Sequence, residues 1–72
     1  MDHDTYAHFP NGFAKEARHT YGWLRHYGYA PKLVSCQGRE DLPYNGVGAW
    51  DVTLPTDEIE GAKKVMRANA HG

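Results

Sequence analysis

The spacing of turn signals constrains the fold most, because it divides residues 13–66 into two helix-like and two strand-like segments. Gly28 and Pro31 are expected to end the first helical pattern, since a glycine can adopt the left-handed backbone that closes a helix and a proline cannot continue one. Residues 50–54 alternate apolar and polar side chains, which predicts a strand with one buried face. The 72 residues therefore predict one small α+β domain spanning 1–72.

The first half of the chain predicts a strand followed by a helix. After a flexible tail at 1–4, the β-prone residues 5–9 predict the first strand, and Asn11 is expected to cap the helix that follows. The buried face of this helix is expected from helical spacing at Phe13, Ala17, Tyr21 or Thr20, Leu24 and Gly28.

The second half predicts two strands and a second helix. Residues 32–36 and 50–54 read as strands joined by a glycine-rich connection at 37–49. Thr56 is expected to cap the second helix, whose acidic first turn and basic later turns complement the helix dipole. Its buried stripe is expected at Ile59, Ala62, Val65 and Met66, and residues 69–72 should fray.

The order βαββα predicts the arrangement of the sheet. The right-handed crossover rule makes the first two strands parallel and places the third between them, antiparallel to both. The expected fold is a three-stranded sheet of order 1-3-2 with two helices on one face, ferredoxin-like but lacking the fourth strand. One sheet face and the edge of the first strand then remain open for a partner.

Composition narrows the classes of partner. A net charge of −1 argues against electrostatic binding to nucleic acid, and no apolar run approaches the length of a membrane span. One cysteine and the lack of a signal-peptide pattern predict a cytoplasmic protein without an internal disulfide. Because so small a chain buries little surface, we expect a protein partner or a second copy of the chain to add stability.

Three segments resemble one known family. They are GYAPKLVS after the first helix, GREDLPYNG in the connection, and WDVTLPTDEIEGAKKVM across the third strand and second helix. Over residues 5–67 the chain resembles the small prokaryotic signal-transducing protein domain, a reduced ferredoxin-like fold shaped like the nitrogen-regulatory PII proteins. The family's function is unknown and it has no established catalytic residues, so the resemblance implies a small bacterial regulatory protein and assigns no site residue. Trp50 and Asp51 depart from the more aliphatic family pattern.

The candidate binding residues belong to two regions. The first helix interleaves basic and aromatic residues, and a tryptophan at the margin of its buried face is typical of a protein interface. The expected partner anchors are Arg18, Trp23, Arg25, Tyr27 and Tyr44. A small ligand, such as a nucleotide, would instead use Arg39, Glu40 and Asp41 in the flexible connection.

The sequence gives weaker signals for a metal site and for a nucleophilic cysteine. His3, third from the amino terminus, could bind copper(II) or nickel(II) through the amine, two backbone amides and the imidazole, but a solvated tail is the expectation. No metal or cofactor is predicted. Cys36 is expected to be buried and inert in the second strand. A reactive Cys36 would need a lowered pKa and a neighbouring histidine.

The preferred hypothesis is a non-enzymatic regulatory module that binds a protein partner through its aromatic and basic first helix or its open sheet face. One alternative is a phage-encoded inhibitor of a host machine, of the anti-CRISPR or polymerase-inhibitor type. The other is a small-ligand sensor that uses the 37–49 connection. An enzyme is the least favoured class, because the sequence does not place a base, a nucleophile and an orienting group together.

Overall fold

The computed structural model, which describes residues 2–36 and 44–69, has the predicted α+β architecture. Its elements are β1 (His3–Phe9), α1 (Ala14–His26), β2 (Lys32–Ser35), β3 (Trp50–Pro55), a 3-10 turn (Thr56–Glu58) and α2 (Ile59–Ala68). The strands form one sheet in the order β1-β3-β2, with both outer strands antiparallel to β3. The predicted fold class and strand order are confirmed.

The core lies on one face of this sheet. The alternating side chains Trp50, Val52 and Leu54 of β3 are all buried, as their pattern predicted. Both helices supply buried residues to the same cluster, namely Ala14, Ala17, Leu24, Ala62 and Met66. Burying each large apolar side chain contributes roughly 1.5–3 kcal/mol, so this shared core holds both helices against one sheet face.

The register of the sheet positions the polar residues of the opposite face. In β3, Asp51 lies between His8 of β1 and Val34 of β2. Two residues along, Thr53 lies between Thr5 and Lys32. An irregularity between Thr5 and Ala7 inserts one extra residue into β1, so the register on either side of it differs by one.

The prediction for the amino-terminal tail is wrong for its last two residues. β1 begins at His3, and Asp4 pairs opposite Leu54. The carbonyl oxygen of Asp2 accepts hydrogen bonds from the Thr56 amide at 3.1 Å and from its hydroxyl at 3.4 Å. Thr56 is therefore not the cap of α2; its hydroxyl attaches the start of β1, and Glu58 occupies the N-cap position.

The start of α1 also differs from prediction. Asn11 does not cap it, because a turn closed by the Phe13 amide on the Pro10 carbonyl delays the first helical residue to Ala14. Phe13 becomes the N-cap residue without a side-chain cap bond and is 50% exposed, so it is not part of the buried face. Ala14 takes the expected inward position instead.

The end of α1 follows the predicted glycine mechanism. The helix ends at His26, and Gly28 has a left-handed φ of 91°. The amide of Tyr29 donates to the Leu24 carbonyl and that of Gly28 to the Arg25 carbonyl, both at 3.0 Å. These two bonds form a Schellman motif, which satisfies carbonyls that the helix end leaves unpaired.

The connection predicted at 37–49 lies outside the described residues at 37–43, and the structure describes its last part, residues 44–49. The expected fraying of 69–72 falls mostly on residues 70–72, which also lie outside the described residues. Within the described ranges, no helix combines the length and the apolarity needed to cross a membrane.

Candidate functional site

The surface around the exposed Trp23 of α1 is here called the α1 outer face and is formed by Arg18, Tyr21, Gly22, Trp23, Arg25, His26 and the C-cap residue Tyr27. Tyr21 and Tyr27 are half-buried at its margin, and Tyr27 also packs against the core. Tyr21 organises its basic part. The guanidinium carbons of Arg18 and Arg25 lie 5.3 Å and 5.8 Å from the centre of the Tyr21 ring, within the range of cation–π attraction. Arg25 Nη1 also donates to the Tyr21 hydroxyl at 3.1 Å. Both arginine charges are thus held in place on the surface.

Three rings form the aromatic part of the α1 outer face. Trp23 lies 6.0 Å from Tyr27 in a stacked arrangement and 5.5 Å from His26 edge to face. The ring centroids of His26 and Tyr27 are 5.2 Å apart, also edge to face. These are favourable geometries for ring pairs. Trp23 is nevertheless 40% exposed, so an ordered tryptophan is presented to solvent.

A shallow depression of about 650 Å³ runs along the same face, lined by Arg18, His19, Gly22, Trp23 and His26. Gly22 has no side chain, and the residues one helical turn before and after it, Arg18 and His26, stand on either side. A Cβ added at Gly22 would meet Arg18 Nη1 at 3.6 Å, an ordinary contact. The depression is therefore open space that a methyl group could partly fill without displacing the backbone.

Four of the five expected anchors belong to the α1 outer face: Arg18, Trp23, Arg25 and Tyr27. The fifth, Tyr44, does not. Its hydroxyl donates to the Ala14 carbonyl at 2.8 Å, and its ring lies 5.3 Å from that of buried Trp50. Through these two contacts Tyr44 connects the segment before β3 to the start of α1, which is a structural role.

Of the remaining sequence candidates, Arg39, Glu40 and Asp41 lie outside the described residues. His3 belongs to β1, and its Nδ1 is buried without a hydrogen-bond partner in the described part of the chain. Copper or nickel binding at the amino terminus needs that nitrogen to join the backbone amides in a plane. A strand residue with this nitrogen buried is not arranged for it.

The uncovered face of the sheet is polar. Its residues include Thr5, Lys32 and Thr53 in one row and His8, Asp51 and Val34 in the next. The exposed large apolar side chains among the described residues are Phe13, Trp23 and Val47, all outside the sheet. Of the two docking surfaces expected from sequence, the α1 outer face therefore has the composition of a protein interface and the sheet face does not.

The sheet face does hold a compact group of three side chains that can ligate a metal, here called the sheet-face cluster: His8, Cys36 and Asp51. His8 Nδ1 lies 2.6 Å from Asp51 Oδ1 and 3.8 Å from Cys36 Sγ. One ligand atom from each residue falls within 4.8 Å of the others. The Cys36 amide donates to the Ala49 carbonyl at 3.0 Å, which continues the pairing of β2 and β3 and positions the thiol.

Cys36 was expected to be buried, and that prediction is wrong: the residue is exposed. A histidine does lie beside it, but the pKa of the Cys36 thiol is raised, first by loss of hydration around the sulfur, then by the negative charge of Asp51 and a hydrogen bond to that carboxylate. The thiol and the carboxylate also approach the same nitrogen of His8. A nucleophilic relay uses the two opposite ring nitrogens and a lowered thiol pKa, so this geometry does not activate Cys36.

Comparison with known proteins gives no match: no family model fits the chain, and no curated protein or solved structure is significantly similar to it.

Proposed function

We propose that this protein is a small non-enzymatic regulatory module of the cytoplasm that binds a protein partner through the α1 outer face. The proposal rests on one observation: Trp23 is held by ring contacts with His26 and Tyr27 while 40% of it stays exposed beside an open depression. Tryptophans in such settings dominate the binding energy of interfaces. Side chains already ordered before binding lose little conformational entropy when a partner arrives.

The charge of this face indicates the kind of partner. Within Ala14–His26 the side chains include Lys15, Arg18 and Arg25, and Glu16 is the only acidic residue. The α1 outer face itself has Arg18 and Arg25 and no acidic residue, although the whole chain has a net charge of −1. α2 has an equal excess of basic residues, so what sets α1 apart is that its two arginines lie beside the exposed Trp23. An acidic segment of a partner would complement it and would be steered toward it. The depression at Gly22 suits an apolar side chain within that acidic segment.

The test begins with selection of peptides from a random displayed library on the immobilised protein. We expect selected peptides to combine Asp and Glu with a bulky apolar residue, and their affinity to fall as salt is added. Trp23→Ala should raise Kd by roughly 30-fold or more, which corresponds to about 2 kcal/mol, when the selected peptide is titrated by calorimetry. Gly22→Ala should also weaken binding, because its methyl group enters the depression.

Val47→Ala is the matched control. Val47 is another exposed large apolar residue, 62% exposed, near the start of α1 and not part of the α1 outer face. Its hydrogen bonds are made by the backbone: the amide donates to Asn45 Oδ1 and the carbonyl accepts from Trp50 Nε1. The Kd of Val47→Ala for the selected peptide should equal that of the unmodified chain. An unchanged Kd for Trp23→Ala would overturn the proposal. Light scattering tests whether the chain forms a dimer. If it does and Trp23→Ala abolishes the dimer, a second copy of the chain binds this face, and the proposal of an acidic partner is wrong.

A further inference from the structure

The sheet-face cluster combines three different kinds of metal-binding group on the side of the sheet away from α1. Each part of the sheet supplies one: the imidazole comes from β1, the carboxylate from β3, and the thiol from the residue that follows β2. The side chains of His8 and Asp51 are 57% and 27% exposed, and Cys36 is exposed as well. The group is thus organised by the sheet and reachable by an ion from solvent.

We propose that His8, Cys36 and Asp51 bind a divalent transition-metal ion of the zinc class, with water completing the coordination. Zinc accepts sulfur, nitrogen and carboxylate oxygen ligands together and prefers four of them in a tetrahedron. Thiolate and imidazole select such ions over magnesium and calcium, which take oxygen ligands. Three protein ligands on an uncovered face leave the fourth position open.

The distances agree with this assignment after a small adjustment. Tetrahedral bonds of ~2.0 Å to nitrogen and ~2.3 Å to sulfur separate those two atoms by roughly 3.5 Å, and His8 Nδ1 and Cys36 Sγ are 3.8 Å apart. The nitrogen and the Asp51 oxygen, now 2.6 Å apart in a hydrogen bond, would separate to about 3.3 Å in the same geometry. Rotation of exposed side chains can supply that change without moving the strands.

Metal binding would replace the hydrogen bonds among the three side chains with bonds to the ion. Bonds form from the ion to Cys36 Sγ, His8 Nδ1 and Asp51 Oδ1, and the S–H bond of Cys36 breaks with release of its proton to solvent. The Nδ1–H bond of His8, which donates to Asp51 Oδ1, breaks as well, and the proton passes to solvent. The imidazole then carries a single proton on Nε2, so Nδ1 can donate its lone pair to the ion. No oxidant or reductant takes part.

Cobalt(II) is the probe of choice, because a thiolate ligand gives it a charge-transfer absorption band in the near ultraviolet. Titration of the reduced full-length chain should give this band, saturating at one cobalt per chain, and zinc should displace it. Cys36→Ser should abolish the band. His8→Ala and Asp51→Asn should keep the thiol but raise the cobalt Kd at least roughly 10-fold, since each removes a ligand.

Two control variants separate this site from other histidines. His19→Ala removes an exposed histidine of α1, and His3→Ala removes the amino-terminal candidate; neither should change the band or the Kd. Matching circular dichroism spectra will show that each variant is folded. Absence of the thiolate band, saturation at one cobalt per two chains, or an unchanged Kd in both His8→Ala and Asp51→Asn would overturn the proposal.

Discussion

Cys36 shows how neighbours decide the chemistry of one residue. Its side chain is exposed, yet loss of hydration at the sulfur, the charge of Asp51 and a hydrogen bond to Asp51 all favour the protonated thiol and raise its pKa. The thiolate is the nucleophilic form. In the metal-free protein at neutral pH, Cys36 is therefore less reactive than an ordinary exposed cysteine.

Asp51→Asn should lower the pKa of Cys36, because the substitution removes the negative charge that opposes the thiolate. The pKa should stay above its ordinary value, since the loss of hydration is the largest cause and remains. The measurement is the rate of alkylation by iodoacetamide against pH, in the presence of a chelator. Asp57→Asn, an exposed acid elsewhere, is the control. A midpoint for Asp51→Asn at or above that of the unmodified protein would contradict the prediction.

At the scale of elements, each helix contains a glycine, and the two glycines have different surroundings. A Cβ at Gly22 in α1 would make an ordinary contact with Arg18, at 3.6 Å. A Cβ at Gly61 in α2 would lie 3.1 Å from the Tyr29 hydroxyl oxygen, tighter than most real contacts. Gly22 therefore leaves space at an outer face, whereas Gly61 permits close packing of α2 against Tyr29.

Gly22→Ala should raise the free energy of unfolding by roughly 0.5–1 kcal/mol, because alanine loses less backbone entropy than glycine in a helix. Gly61→Ala should raise the free energy of unfolding by less than Gly22→Ala does, or should lower it, because the Tyr29 ring must shift. Urea unfolding followed by circular dichroism compares the two variants. Equal stabilisation by both would show that Tyr29 does not restrict α2. The gain at Gly22 also means that weaker peptide binding by Gly22→Ala cannot be explained by unfolding.

At the scale of the whole molecule, the sheet separates two surfaces. Its buried face holds both helices, so the α1 outer face and the sheet-face cluster lie on opposite sides of β3. The two proposed sites share no residue. A metal ion in the cluster would join all three parts of the sheet, whereas a peptide on α1 would leave the sheet unchanged.

Zinc should therefore stabilise the whole fold. At a concentration 100 times its Kd, an ion that binds only the folded chain adds about 2.7 kcal/mol to the free energy of unfolding. For a domain of this size the thermal midpoint should rise by roughly 10 °C or more. Differential scanning fluorimetry of the reduced chain measures the shift, and Cys36→Ser provides the comparison. An equal rise in both chains would place the bound zinc elsewhere.

Local signals in the sequence were sufficient for the order of elements, the buried face of β3 and the closure of α1 by Gly28. Each depends on side-chain periodicity or on backbone freedom within a few residues. The same reasoning failed at Asn11 and Thr56, where contacts decided the outcome: a turn from Pro10 delayed α1, and the Thr56 hydroxyl joined the Asp2 carbonyl. The partner of Thr56 lies 54 residues away, outside any local pattern. At Asn11 two local signals competed, and the turn prevailed over the helix cap.

Local patterns in the amino-acid sequence are enough to specify a βαββα fold whose first helix is basic and aromatic. The contact of Cys36 with His8, 28 residues away, and that of His8 with Asp51, 43 residues away, follow from the three-dimensional fold alone. These meetings depend on the register of three strands and on the extra residue between Thr5 and Ala7. A shift of one residue would turn a side chain to the other face of the sheet, and that register is set by pairing between distant segments.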